Sequence, residues 1–202
     1  MNTPAHVIVN LLLLHRTARS SRAPSSRERA STPAAPIVWG ALLPDLPMLV
    51  FYVVEKALLA RPEAAIWGRD YFDPAWQAFF DLFNSLPLAA IGAGVALRAR
   101  SRPWALFFVS IALHGFFDLP LHHDDGHRHF FPFSDFRFES PVSYWDPAHY
   151  GTWIAPVESL VALGGALVLW RRFVASPGRF WLLAIALAYA VLWGWTLVFW
   201  VA

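Results

Sequence analysis

A histidine and an aspartate four positions apart are the residues of this sequence best suited to chemistry. They are His114 and Asp118, in the apolar stretch ALHGFFDLP. Side chains at this spacing lie on one face of a helix, and imidazole and carboxylate groups are ligands that zinc, manganese and iron accept. The pair therefore predicts part of a divalent-metal site. The structural alternative is a hydrogen bond between the two side chains that holds this helix to its neighbours.

Three other apolar stretches each carry a carboxylate: Asp45 in GALLPDLPMLV, Asp81 in FFDLFNSLPL and Glu158 in APVESLV. Ionisable groups in membrane spans are costly and tend to mark sites. At 1.5 Å per residue, Asp81 lies roughly 10 Å and Glu158 roughly 7 Å inside the same end of the bundle. We expect Asp45 and Asp81 to join His114 and Asp118 as metal ligands, and Glu158 to be the general base if burial raises its pKa. The alternatives are helix capping by Asp45 and solvation of Glu158.

Further histidines extend the candidate ligand set. His122 continues the helix face of His114 and Asp118, and His123 follows it in the segment LHHDDGHRHFF. Histidine-rich tracts bind metals, so both residues are candidate ligands, although the segment could equally be a solvated polar turn or capture metal without catalysis. His6, in the apolar segment at residues 1–14, would complete the shell, or it is an ordinary interfacial residue.

Composition identifies the class of protein that carries these residues. Of 202 residues, 57% are hydrophobic and 15% are charged, whereas soluble domains carry about 25% charged residues. The chain contains no cysteine, which excludes thiolate nucleophiles and thiolate metal sites. A net charge of +2 does not indicate a nucleic-acid-binding surface. The sequence also contains no nucleophile-elbow, phosphate-loop or His-Glu-x-x-His motif. These features predict an all-α, polytopic membrane helix bundle that forms a single domain over residues 1–202.

The elements that position the candidate residues follow from hydropathy. A membrane span needs roughly 20 apolar residues, and five segments approach or exceed that length: 36–59, 74–97, 104–121, 153–170 and 180–202. Residues 1–14 are too few and predict a short interfacial or re-entrant helix. Pro44 and Pro47 predict a break in the first span, and Asp73 before Pro74 predicts a capped helix start.

Basic residues predict the orientation in a bacterial inner membrane. Loops on the cytoplasmic side carry an excess of Lys and Arg. A mobile basic linker at residues 15–35 and the turns near 100 and 175 together hold eleven of the sixteen such residues: Arg16, Arg19, Arg22, Arg27, Arg29, Arg98, Arg100, Arg102, Arg171, Arg172 and Arg179. These segments are predicted to be cytoplasmic, and the His/Asp-rich loop at residues 122–152 to be periplasmic or external.

Three short motifs resemble a known family, the YdjM-type, LexA-regulated, membrane-bound metal-dependent hydrolases. They are Leu42-Leu43-Pro44-Asp45, His114-Gly115-Phe116-Phe117-Asp118 and Pro132-Phe133-Ser134. With the family's N-terminal histidine placed on His6, the resemblance covers residues 1 to about 135. It implies metal-dependent hydrolysis at a site within the membrane.

The sequence departs from the family pattern at two places. Leu46-Pro47 follows the Leu-Pro-Asp motif, where the family has a histidine. Where the family has a His-Arg-Gly-x-x-His-Ser element, this sequence has Phe79 at the first position and Asn84-Ser85 at the last two. In this alignment Asp81 is the residue that would substitute as a ligand.

Sequences that look like this chain over its whole length, with HHDDGHRH and SPVSYWDPAH, often carry the label cobalamin biosynthesis protein CobQ. Cobyric acid synthase is a glutamine-dependent amidotransferase with a cysteine nucleophile and a nucleotide-binding domain. This chain has neither a cysteine nor a phosphate loop, so we interpret the label as a misnomer.

The residues and the resemblance together predict a membrane-embedded hydrolase-like protein. Its cofactor would be a divalent metal, with zinc expected and manganese or iron as alternatives. Its partners would be the lipid bilayer and an amphiphilic, lipid-like ester or phosphoester, without nucleic acid. The alternative is a non-catalytic metal- or proton-binding protein, such as a transporter component, for which a carboxylate near mid-span is typical.

Overall fold

The computed structural model describes residues 1–15, 33–173 and 176–200, and within these ranges the chain is helical and contains no strand. This confirms the predicted all-α class. The α-helices of the described residues are α1 (Thr3–Leu14), α2 (Ala34–Leu42), α3 (Leu46–Val53), α4 (Glu63–Gly68), α5 (Pro74–Phe83), α6 (Leu86–Arg98), α7 (Arg102–Asp118), α8 (Gly151–Arg172) and α9 (Ser176–Trp200).

Four helical stretches are long and apolar enough to cross a membrane, and each matches a predicted span within a few residues: Ala34–Leu58, Pro74–Arg98, Arg102–Leu121 and Gly151–Arg172. The predicted fifth segment is the helix α9, whose apolar part within the described residues is Gly178–Val191. Most of the predicted basic linker at residues 15–35 lies outside the described residues.

The short helix α1 is buried among the spans and runs antiparallel to α7. Its Asn10 side chain donates to the backbone oxygen and the hydroxyl of Ser110, at 2.9 and 2.8 Å. One turn away along both helices, the rings of His6 and His114 stack at 3.5 Å. Both layers are fully buried, so α1 lies in the core of the helix bundle.

The predicted break in the first span is confirmed. A 3₁₀ turn at Leu43–Asp45 separates α2 from α3, because Pro44 and Pro47 lack the N–H groups that a continuous helix needs. A second break, between α5 and α6, lies next to it, and Asn84 there donates its amide to the Pro44 carbonyl at 3.3 Å. Irregular backbone in two spans thus meets inside the bundle, where such backbone is tolerated when it is buried or lines a cavity.

Gly40 allows α2 to lie against α7. A Cβ atom at this position would stand 2.3 Å from the Phe107 carbonyl oxygen and 2.7 Å from Ser110 Cβ. Backbone this close leaves no room for a side chain. The glycine therefore fixes the distance between the two helices that carry Ala41 and His114.

We expect Gly40→Ala to lower the free energy of unfolding by about 1–3 kcal/mol, because forcing a methyl group into a packed contact costs that much. Gly94→Ala is the matched control, since its Cβ would meet no described atom within 4 Å. Thermal unfolding of the two variants in the same detergent measures the difference. Equal melting temperatures would show that α2 can shift away from α7 at no cost.

Candidate metal centre

Three buried side chains from α1 and α7 form a group with metal-binding geometry. His6, His114 and Asp118 each direct one ligand atom into the group, and these atoms lie within 4.8 Å of one another. His6 and His114 are fully buried and Asp118 is 3% exposed. The i,i+4 spacing on α7 and the antiparallel packing of α1 bring the three together.

The ring of His114 is oriented by the backbone of α2. Its Nδ1–H donates to the Ala41 carbonyl at 2.8 Å, which leaves Nε2 facing the carboxylates. Nε2 lies 3.0 Å from Asp118 Oδ2 and 3.4 Å from Asp45 Oδ1, but it makes no hydrogen bond with any described residue. Metal-binding histidines are typically held in this way, with the second nitrogen bonded to a backbone carbonyl or carboxylate.

Asp118 is the carboxylate on which the cationic and hydrogen-bonding groups of the site converge. Its Oδ1 accepts a hydrogen bond from the α-amino group of Met1 at 2.6 Å and lies 2.9 Å from His6 Nε2. Its Oδ2 faces His114. A carboxylate buried to this degree is stable only with such partners, so Asp118 is placed to accept either protons or a cation.

Asp45 lies at the open side of the group. Its side chain is 33% exposed, whereas that of Asp118 is 4% exposed. The carboxylate does not cap α3, so the capping alternative is wrong. Its Oδ2 is buried without a hydrogen-bond partner among the described residues. The 3₁₀ turn at Pro44 is what points Asp45 toward His114 rather than along a regular helix.

These groups fit a divalent cation. Two imidazoles and one carboxylate form a set that zinc accepts, and a catalytic zinc keeps one position open beside three protein ligands. The Nε2 atom of His114, which has no hydrogen bond among the described residues, is a polar atom that a cation held by the group would satisfy. The arrangement could therefore hold a metal, with Asp45 beside its open position.

The structure does not bring Asp81 into this group. Its carboxylate is held by Arg128, which donates through Nε at 2.5 Å and through its backbone N–H at 2.9 Å. His127 Nδ1 stands 3.8 Å from the same carboxylate. The depth of Asp81 in its span was the sequence argument for a ligand role, but a guanidinium from the loop at residues 122–152 neutralises it instead.

Glu158, predicted as general base, is also directed elsewhere. Its Oε1 accepts hydrogen bonds from the backbone and side-chain amides of Asn2, at 3.0 and 2.7 Å, and from the Tyr189 hydroxyl at 3.2 Å. The side chain is buried, so the solvated alternative is wrong. Because Asn2 stands at the start of α1, Glu158 anchors the helix that carries His6 rather than facing the ligand group.

The two loop histidines predicted as ligands, His122 and His123, lie at different distances from the ligand group. His122 borders the group, with Nε2 3.5 Å from Asp118 Oδ1 and Nδ1 3.0 Å from Asp125. His123 is not brought to it: Nδ1 bonds to the Ser140 carbonyl at 2.7 Å, and the ring stacks on His149 at 3.6 Å.

The pKa values of two neighbouring loop histidines, His122 and His127, are shifted in opposite directions. Burial opposes protonation of His122, but hydrogen bonds to Asp118 and Asp125 outweigh it and raise the pKa of His122. Burial lowers the pKa of His127 to about 4, and the neighbouring His122 and His129 act in the same direction. The local environment thus favours the protonated form of His122 and opposes that of His127.

Several partners that decide the site were not found by sequence reasoning. They are the Ala41 carbonyl, Arg128, Asn2 and Tyr189. Arg128 is 47 positions from Asp81 and Asn2 is 156 positions from Glu158, so no helical spacing links them. One sequence signal could have identified Arg128. It is a basic residue in a histidine-rich loop, and the neighbouring spans carry carboxylates that need a cationic partner.

Comparison with known proteins adds no family assignment: no protein-family model, no curated protein and no solved structure matches this chain.

Proposed function

We propose that this chain is a membrane-embedded, divalent-metal-dependent hydrolase-like protein that acts on an amphiphilic ester or phosphoester. His6, His114 and Asp118 would hold the metal, with zinc the expected ion and manganese or iron as alternatives. The observation that carries the proposal is the orientation of His114, whose Nδ1–H is fixed on Ala41 while Nε2 faces two carboxylates without a hydrogen bond.

The chain's own residues supply positioning and a proton acceptor. A bound divalent metal lowers the pKa of water and polarises an acyl or phosphoryl oxygen. Asn10 and Ser110 hold α1 against α7 one turn from the ligands, and Glu158 anchors the start of α1 through Asn2. Asp45, one-third exposed and with a free oxygen, is placed to accept a proton, a role we propose for it in place of Glu158.

A second candidate function has its own support. His114 Nε2 lies between Asp118 and Asp45 at 3.0 and 3.4 Å, as the ring of an imidazolium would. A proton in place of a metal would make the group a proton- or metal-binding site without hydrolysis, as in a transporter component.

Hydrolysis of a fluorogenic phospholipid in mixed micelles tests the first proposal. We expect activity that a chelator abolishes and zinc restores, and we expect Asp45→Asn to lower the rate about 10²–10⁴-fold, the range for losing an acid–base group, while retaining metal. Asp124→Asn, an exposed loop carboxylate, is the control and should keep full activity. Activity that resists the chelator would exclude the metal mechanism, and activity absent throughout in metal-loaded protein would favour the second candidate.

We further propose that the protein lies in a bacterial inner membrane, with the linker at residues 15–35 and the turns near 100 and 175 cytoplasmic and the loop at residues 122–152 periplasmic or external. The eleven-to-five distribution of Lys and Arg supports this orientation. Because the chain has no cysteine, Asp124→Cys provides a single labelling site. We expect a membrane-impermeant maleimide to label it in spheroplasts, and labelling only after permeabilisation would reverse the orientation.

A further inference from the structure

A phenylalanine-rich stretch at residues 130–138 of the long loop exposes most of its apolar side chains. Phe130, Phe133, Phe136 and Phe138 are 40%, 68%, 57% and 38% exposed. A stretch that exposes several large apolar side chains in this way marks an interaction site. The proposed function makes no use of it.

Two hydrogen bonds place this stretch beside the middle of a span. Ser85 Oγ donates to the Phe131 carbonyl at 2.5 Å, and Leu86 N–H donates to the His129 carbonyl at 2.9 Å. Ser85 stands at the break within the apolar stretch Pro74–Arg98. Thirteen residues separate it from Arg98, which is about 20 Å along a helix. The hydrocarbon core is about 30 Å thick, so these bonds lie about 10 Å inside the boundary opposite Arg98.

Four backbone N–H groups of the stretch have hydrogen-bond partners within the protein. The backbone N–H groups of residues 131, 133 and 134 donate to backbone oxygens at Arg128 and Phe130, and that of Phe136 donates to the Ser134 hydroxyl. Non-helical backbone at membrane depth requires such internal partners.

Its charged side chains are paired as well. The Arg128 guanidinium bridges Asp81 and Asp135, at 2.5 and 2.7 Å, and lies 5.1 Å above the Phe131 ring. Arg137 donates to the Gln77 side chain at 2.8 Å. The pair of Arg128 with the fully buried Asp81 is of the kind that charges entering a bilayer form.

We propose that residues 128–138 form a re-entrant element seated in the outer half of the bilayer, with the four exposed phenylalanines among lipid acyl chains. The occupant of this surface is lipid rather than another protein, because the stretch adjoins spans that themselves expose apolar side chains, such as Leu82 of α5 and Phe116 of α7. The lipid-facing surface of the bundle thus continues onto the loop. The proposal goes beyond the proposed function and does not depend on a metal.

Depth-dependent quenching tests the proposal on the full chain, which has no native cysteine. Phe133→Cys and Phe136→Cys are each labelled with an environment-sensitive fluorophore and reconstituted into phosphatidylcholine liposomes. Asp124→Cys is the matched control, an exposed polar position on the same loop. We expect lipids that carry a shallow doxyl quencher to remove most of the fluorescence at positions 133 and 136 and little at 124. Aqueous iodide should produce the reverse pattern.

The quenching results distinguish lipid, water and another protein as the surroundings of the exposed phenylalanines. Iodide quenching at 133 and 136 equal to that at 124 would place the stretch in water and overturn the proposal. Protection from both quenchers would assign the surface to a second copy or another protein, and would overturn it as well. Both replaced side chains are exposed, so folding does not depend on them; thermal unfolding verifies this, and either position alone decides the result if the other variant fails to fold.

Discussion

His114→Ala should leave the purified protein without bound metal, whereas the wild-type chain should carry close to one divalent ion. The ring supplies the ligand atom that faces Asp118 and Asp45. Loss of a residue that merely supports a ligand costs about 10–100-fold in metal affinity, so loss of the ligand itself should cost more. Elemental analysis of protein purified in detergent, after exchange into metal-free buffer, measures the content.

His123→Ala is the matched control for this prediction. It removes a half-buried loop imidazole that bonds to the Ser140 carbonyl and stacks on His149, away from the ligand group. Its metal content should equal that of the wild type. Asp81→Asn should also retain metal, because Asp81 is bound to Arg128. Equal, substoichiometric metal in wild type and His114→Ala would contradict the site and the hydrolase proposal together, and would leave a hydrogen-bonded clasp of α1 and α7.

Sequence alone predicted the spans well because their signal is local. Length and apolar composition place the helix ends within a few residues, and Pro44 with Pro47 specifies the break before α3 through missing N–H groups. The same local logic predicted that His114 and Asp118 share a face. Each of these features depends on residues within one or two turns of one another.

The composition of the site was harder to predict because it depends on contacts between distant segments. The position of Asp81 and Glu158 along their spans indicates how far each residue lies from the end of its helix. It does not indicate the direction in which either side chain points. Direction is set by Arg128 from the loop and by Asn2 from the start of α1. The Ala41 carbonyl that orients His114 is a backbone atom, which no side-chain motif reveals. The sequence pattern therefore predicted a set of candidate ligands, and contacts between distant segments determine which of them lie in the ligand group.

Arg128→Met should destabilise the protein by about 3–5 kcal/mol, because removing one member of a buried ion pair leaves an uncompensated charge. Asp81 is fully buried and would lose the guanidinium, while Arg128 is 21% exposed, so we expect the lower end of this range. Denaturant unfolding in a fixed detergent measures the change. Asp135→Asn is the control: its side chain is 89% exposed, so its loss leaves no buried charge without a partner and should destabilise the protein much less than Arg128→Met.

A second substitution distinguishes the loss of the pair from general damage to the loop. Combining Arg128→Met with Asp81→Asn removes both charges, while the amide oxygen at position 81 can still accept the hydrogen bond from the backbone N–H of residue 128. Neutral replacement of both partners of a buried pair is often tolerated, so the double variant should be more stable than Arg128→Met alone. A double variant that is as unstable as Arg128→Met, or less stable, would show that the guanidinium holds the loop by packing against Phe131 and not by neutralising Asp81.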